Sequence, residues 1–351
     1  AQSNREDERM SGESAREIGE FALIERLKNK LGSVGNDADV IVGNGDDAAV
    51  IKAADGKCWV VTCDAQVSGV HFPSTGDVSG FAVGYKSLAV NVSDVAAMGG
   101  KPRFALISLG IPEETPVSFL DDLYGGVRAL SEQYDILVLG GNVTRTSGPL
   151  FVDVFLVGKV MEEKVLRRSG ARAGDRILVT GYLGDAAAGL HLSSTPHIQL
   201  REDVHASLTR AQLEPQPRVA EGVAIAESGL ATSMMDISDG LAGDIRHLCE
   251  ASGAGALLWG SELPVSGALF EAASVAAKKP MEWALHGGED YELLVTTPAE
   301  SVRALQEVLR RAGGAPLTPI GEILPASQGI SLKRADGIIA LENLAWEHFS
   351  A

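Results

Sequence analysis

The segment Val42-Gly43-Asn44-Gly45-Asp46-Asp47-Ala48-Ala49-Val50 joins a pair of carboxylates to an apolar run. Gly43 and Gly45 allow a sharp backbone turn. Asp46 and Asp47 sit on that turn, and Ala48-Ala49-Val50-Ile51 then reads as a buried strand. Residues 39–43 read as a short strand entering the turn. Residues 48–53 and 57–64 read as strands on either side of Asp55-Gly56, a hairpin signal. Adjacent carboxylates repel each other unless water or a cation relieves them. A lone Gly-Asp-Asp is therefore open to two readings, a solvated turn or part of a cation site. What weighs for the second is recurrence: carboxylates stand beside glycines, strand ends or helix starts again at Asp64, Asp94, Asp236/Asp239 and Glu289/Asp290.

Working outward, residues 15–31 carry Ile18, Phe21, Ala22, Ile24, Leu27 and Leu31 at helical spacing. Asp64 ends the second hairpin strand, and His71 follows in the loop sequence S-G-V-H-F-P. Residues 77–98 read as a long helix rich in Ala and Val that nevertheless contains Lys86, Asn91 and Asp94. Burying such a carboxylate without a partner is costly, so a metal or an arginine is expected beside Asp94. A strand over 103–111, a helix over 116–133, a strand over 135–139 ending in Gly140-Gly141-Asn142, and a strand over 150–160 complete this half. The order β-β-α-β-α-β-β predicts a mixed sheet with helices packed on it.

Composition changes at 161–175, a charged stretch that holds Arg167, Arg168 and Arg172. It is read as the domain boundary. The arginines are either a solvated linker or phosphate partners, since guanidinium matches phosphate oxygens. The second half reads as α/β: strands at 176–180 and 231–235, helices at 185–192, 201–211 and 217–228, and a helix after D-I-S-D-G with Ser238 as its N-cap. The segment H-G-G-E-D-Y-E-L-L repeats the glycine–carboxylate–strand order, and a helix over 298–312 and two closing strands follow. The expected division is a disordered lead-in over 1–14, an N-terminal domain over 15–160 and a C-terminal domain over 161–351.

The formal net charge of −17 argues against nucleic-acid or anionic-membrane partners, which select basic surfaces. Three cysteines without zinc spacing suit a reducing compartment. No run approaches a membrane span, and a soluble cytoplasmic protein is expected. Oxygen ligands without His or Cys clusters suit Mg²⁺. No P-loop lysine, kinase H-R-D set or G-x-S-x-G elbow is present. Scattered carboxylates with Arg and Lys fit phosphoryl transfer, which needs positioning and charge neutralisation more than a covalent catalyst. A calcium-binding or purely structural acidic protein stays open at this level.

Seven segments, in order, resemble the thiamine-monophosphate kinase family: G-D-D-A-A at 45–49, T-C-D at 62–64, Y-K-S-L-A-V-N-V-S-D-V-A-A-M-G at 85–99, G-G-N-V-T-R at 140–145, L-R-R-S-G-A at 166–171, D-I-S-D-G-L at 236–241 and G-G-E-D-Y-E-L at 287–293. The resemblance spans Phe21 to Phe349 and belongs to the wider aminoimidazole ribonucleotide synthetase-like superfamily, whose members use ATP. It implies an N-terminal domain that dimerises through its sheet into a shared barrel, and a separate C-terminal α/β domain. It implies ATP as co-substrate, thiamine monophosphate as acceptor, several Mg²⁺ and a homodimer. By position, Asp47, Thr62, Cys63, Asp64, Asp94, Asn142, Asp236 and Asp239 fall on the family's metal ligands. Tyr124, Gly141, Asn142, Arg168 and Ser238 fall on nucleotide contacts, and His71, Glu289 and Trp346 on substrate contacts. Two positions depart from the family pattern. Asn142 stands where the family commonly has Asp, and Cys63 replaces Thr. A thiol is a poor Mg²⁺ ligand, so a contact at Cys63 would run through backbone oxygen. The alternatives are another ATP-dependent enzyme of the superfamily and a non-catalytic divalent-cation-binding protein.

Overall fold

The computed structural model describes residues 14–31, 37–74 and 77–341. The lead-in expected over 1–14 lies outside them except at its last position. Ser14 is the N-cap of the helix Ala15–Ile18, and the Glu17 carboxylate reaches back to the Ser14 amide. Gly19, at φ +79°, divides the one helix expected over 15–31 into Ala15–Ile18 and Glu20–Leu31.

The first sheet has the order β1-β2-β3-β6-β4-β5. Its strands are β1 Val40–Val42, β2 Ala49–Lys52, β3 Lys57–Val67, β4 Lys101–Ile111, β5 Leu137–Arg145 and β6 Phe151–Met161. Asp55 and Gly56 turn β2 into β3, and both adopt the left-handed φ that a tight hairpin turn requires. Neighbours are antiparallel except β4 and β5, which run parallel because the helix Val117–Tyr134 crosses between them. Among the described residues helices cover one face of this sheet. Along β6, Val152, Val154 and Leu156 therefore alternate inward. For the same reason β2 is half-buried: Val50 is sealed, whereas Ile51 faces outward at 38% exposure. The fully buried strand expected there would need cover on both faces.

The helix Gly80–Ala97 lies against β3 and β6 and crosses Val117–Tyr134 at backbone contact. A Cβ on Gly84 would sit 1.9 Å from the Leu123 carbonyl oxygen, and one on Gly126 the same distance from that of Phe81. Only glycine permits this approach.

The second sheet has the order β13-β12-β9-β11-β7-β10-β8, built from β7 Arg176–Thr180, β8 Ser233–Asp236, β9 Ala254–Trp259, β10 Leu293–Thr297, β11 Leu317–Pro325, β12 Ile330–Arg334 and β13 Gly337–Ala340. β8 and β10 are buried on both faces. Met235 and Leu294 enter a core with the helix Leu241–Ser252, while Met234, Leu293 and Val295 enter one with the helix Val302–Ala312. Covering both faces is what makes these strands continuous apolar runs. The second core also contains Ala97 of the first domain. Gly222, in the helix Val219–Ser228, packs on the Ala96 carbonyl so closely that a Cβ would lie 2.3 Å from it. The two halves thus meet along Gly80–Ala97.

Candidate active site at the domain junction

Along Gly80–Ala97 two polar stripes face two partners. Ser87, Asn91 and Asp94 follow helical spacing on the side of β3. The Thr62 hydroxyl donates to Asp94 Oδ2 (2.6 Å), and the Asp64 amide donates to Asn91 Oδ1 (3.0 Å). Lys86 and Ser93, seven apart, face the second domain, and Ser93 Oγ donates to Asp236 Oδ2 (2.5 Å). Asp236 ends β8 and is 2% exposed.

From the other side comes the G-D-D turn. The Asp47 side chain is completely sealed and pairs with Arg168, whose Nε and terminal nitrogen both donate to Asp47 Oδ1 at 2.9 and 2.6 Å. Asp46 accepts the Arg168 backbone amide at 3.1 Å. The charged boundary segment is therefore no solvated linker at this point; Arg168 is folded into the carboxylate group. Both donated bonds reach one oxygen, and Asp47 Oδ2 is buried with no hydrogen-bond partner among the described residues.

These carboxylates act on one another. Burial pushes Asp47 up to about 8 against the pull of Arg168, with the charges of Asp236 and Asp46 adding to the rise. Burial also raises Asp236, to about 6, while Ser93 and Arg168 oppose it. Asp94 is pushed well above the carboxylate range by burial and then by Asp64 and Asp236. Asp47, Asp64, Asp94 and Asp236 are thus brought within electrostatic reach across the domain boundary.

Among the described residues no three Asp, Glu, His or Cys side chains already converge in a metal-binding array; Arg168, Thr62 and Ser93 hold the carboxylates instead. The donor set nevertheless fits a hard cation. It consists of carboxylate and hydroxyl oxygens, with an orphaned buried oxygen on Asp47.

Other expected residues fall in different places. On β3, Thr62 and Asp64 share a face by the two-residue period and Cys63 points to the other, its thiol 3.2 Å from Asp153 Oδ1. Burial and then Asp153 push that thiol up to about 11. Gly141 and Asn142 lie on β5, which is exposed along its whole length, and Tyr124 lines a groove beside its start with Arg128, Leu137 and Val138. Asp239 is half-buried in the loop after β8. Ser238 is not the N-cap of Leu241–Ser252. Gly240 is, at φ +103°, and the Ser238 carbonyl accepts the Glu289 amide instead at 2.7 Å. A Cβ at Gly240 would lie 3.0 Å from the Gly287 carbonyl oxygen on a backbone already at positive φ, which disfavours a residue with a capping side chain there. Trp346 lies outside the described residues.

His71 Nδ1 accepts the Val67 amide (3.0 Å), so a neutral ring carries its proton on Nε2. Glu289 pairs with Lys86. Asp290 instead accepts the Gly184 amide at 2.9 Å, at the N-terminus of the helix Asp185–Ser194, a structural role. The sequence reading missed Asp244. It is 1% exposed, its Oδ2 lacks a partner, and burial and then Asp239 and Asp236 raise it well above the usual range. Its signal was a carboxylate among Leu241, Ala242, Gly243 and Ile245.

A pair of domains built on mixed sheets packed with helices, with buried carboxylates at their junction, defines the class. Residues 45–160 match the family described as AIR synthase related protein, N-terminal domain, and residues 172–332 match its C-terminal domain. The thiamine-monophosphate kinase of Salmonella typhimurium is 36% identical over 336 residues, covering 95% of this chain and 98% of that protein. That of Aquifex aeolicus is 40% identical over 285 residues, covering 81% and 88%. A solved structure described as "AaThiL complexed with AMPPCP and TMP" superposes with a TM-score of 0.83 at 35% identity, covering 96% of this chain and 99% of that one. The chain belongs to the thiamine-monophosphate kinase family of AIR synthase related proteins.

Proposed function

We propose that the protein phosphorylates thiamine monophosphate with ATP, giving thiamine diphosphate and ADP. The observation that carries this is the burial of Asp47, Asp94 and Asp236, from two domains, within electrostatic reach of one another, with Arg168 paired to Asp47. The complex of a related protein with AMPPCP, a non-hydrolysable ATP analogue, and TMP supports the choice of substrates.

The terminal phosphate oxygen of thiamine monophosphate attacks the γ-phosphorus in line. The bond from that phosphorus to the β–γ bridging oxygen breaks, and ADP leaves with the electron pair. Asp47, Asp64, Asp94 and Asp236 would hold Mg²⁺, with Thr62, Asp239 and Asn142 supplying further oxygens and Cys63 contributing through its backbone. When bound, the metal neutralises charge between the two phosphorylated molecules. Arg168, released from Asp47, pairs with phosphate oxygens, for which its planar fork is suited. Ser238, Gly141 and Tyr124 complete the nucleotide contacts. His71 offers its Nε2 proton to the acceptor phosphate, and Glu289 and Trp346 hold the thiamine portion.

The molecule works as a cytoplasmic homodimer joined at the exposed β5 edge. Among the described residues no helix is long and apolar enough to cross a membrane. Incubation with ATP and thiamine monophosphate tests the function, read as equal release of ADP and thiamine diphosphate. ADP release that ignores thiamine monophosphate would overturn it.

A further inference from the structure

Lys86 lies inside the helix Gly80–Ala97 with its side chain 2% exposed. A buried ammonium is tolerated only when it is paired and hydrogen-bonded. Its two partners come from two separate segments. Nζ donates to the His71 carbonyl oxygen at 3.2 Å and lies 2.5 Å from Glu289 Oε1. His71 stands in the turn after β3, in the first domain. Glu289 stands in the loop before β10, in the second, and adopts a left-handed φ of +68°. A non-glycine residue keeps that conformation only where its surroundings impose it. Here the Glu289 amide is tied to the Ser238 carbonyl and the Tyr291 amide to that of Ile237. The Lys86 ammonium then fixes where the carboxylate points.

We propose that Lys86 is a positioning residue for the acceptor substrate. It locks the His71 turn to the Glu289 carboxylate across the domain boundary, so that two segments far apart in the chain present one acceptor pocket. This rests on the reading of His71 and Glu289 as thiamine monophosphate contacts. Lys86 acts through the two segments that hold its ammonium, the His71 carbonyl and the Glu289 carboxylate.

The test uses the full chain with Lys86→Met, Lys86→Arg and Glu289→Gln. Lys86→Met raises KM for thiamine monophosphate on the order of tenfold or more while KM for ATP stays within about twofold, since only acceptor binding is disturbed. Lys86→Arg, which keeps the ion pair, recovers part of the loss. Lys86→Met combined with Glu289→Gln is no worse than the more impaired single variant, because both remove one interaction. Amide hydrogen exchange on the ligand-free protein supplies a readout independent of turnover: Lys86→Met speeds exchange in both 68–72 and 287–292. The proposal is overturned if Lys86→Met shifts the two KM values alike, shifts neither, or leaves exchange in those segments unaltered. A wild-type protein that makes no thiamine diphosphate sinks the functional reading instead, and the exchange arm still decides whether Lys86 couples the two segments. Should Lys86→Met not fold, Lys86→Arg and Glu289→Gln carry the kinetic comparison.

Discussion

Arg168 donates twice to one carboxylate oxygen of Asp47, and the other oxygen is sealed without a hydrogen-bond partner among the described residues. A buried polar atom without a partner is disfavoured by about 1–3 kcal/mol, so the pair is a poor resting state that a ligand can improve. Asp47→Asn removes the charge while keeping the shape. It should lower kcat by roughly 10²-fold or more, as loss of a transition-state charge partner does, with the circular dichroism spectrum unchanged. An ADP-release assay showing full turnover would remove Asp47 from the reaction. The same burial sets a pH dependence. Burial pushes Asp47 up to about 8 and Asp236 up to about 6, from an ordinary 3.8. Between these limits the native state holds protons that the unfolded chain has released. By linkage the stability these two carboxyl groups contribute to the ligand-free fold is lost as pH rises from about 4 to about 8. Mg²⁺ competes with those protons, so its binding tightens over the same window. Melting temperatures in chelator should fall across that range and fall less in MgCl₂; a rise in chelator would contradict the assigned burial.

The helix Gly80–Ala97 is the element that brings these residues together, and its sequence showed only part of how. Asp94 and Asn91 were visible because polar side chains stand out among Ala and Val. The Asp55-Gly56 turn was visible because its chemistry is local. The Asp47–Arg168 pair was not, since 121 residues separate its members and no spacing rule reaches so far. Nor did residues 254–259 or 317–325 declare themselves as the strands β9 and β11, because a short apolar run does not distinguish strand from helix. Ser238 misled for a related reason: Ser before a helix is a good cap in isolation, but the Gly287 backbone crowds the turn and selects Gly240 instead. The glycines of the helix crossing were equally silent, since their role depends on a partner helix. Gly84→Ala would press a methyl onto the Leu123 carbonyl. It should destabilise by about 1–3 kcal/mol, the usual range for overpacking, seen as a lower denaturation midpoint. Because the helix carries Asp94 and Lys86, kcat should fall as well, whereas an exposed change such as Arg311→Ala, on the helix Val302–Ala312, should alter neither.

At the scale of the whole molecule, the first domain leaves one edge unfinished. Among the described residues β5 is paired to β4 on one side only, and all nine of its residues are exposed, Leu139 at 64% and Val143 at 67% among them. A long apolar edge strand invites pairing with another chain, and nothing along β5 blunts it with proline or lysine. A second copy of the same edge is the simplest cover, because a two-fold contact uses one patch twice. The same strand carries Gly141 and Asn142, read above as nucleotide and metal contacts, so covering it would also shield that part of the site from water. Val143→Lys places a charge on the edge without touching the carboxylates at the domain junction. Sedimentation should then show a monomer where the parent chain sediments as a dimer. The second-domain core should melt as before, and KM for ATP should rise more than KM for thiamine monophosphate. A parent chain that sediments as a monomer at every concentration would refute the shared edge, and a monomeric variant with unaltered KM for ATP would separate assembly from nucleotide binding.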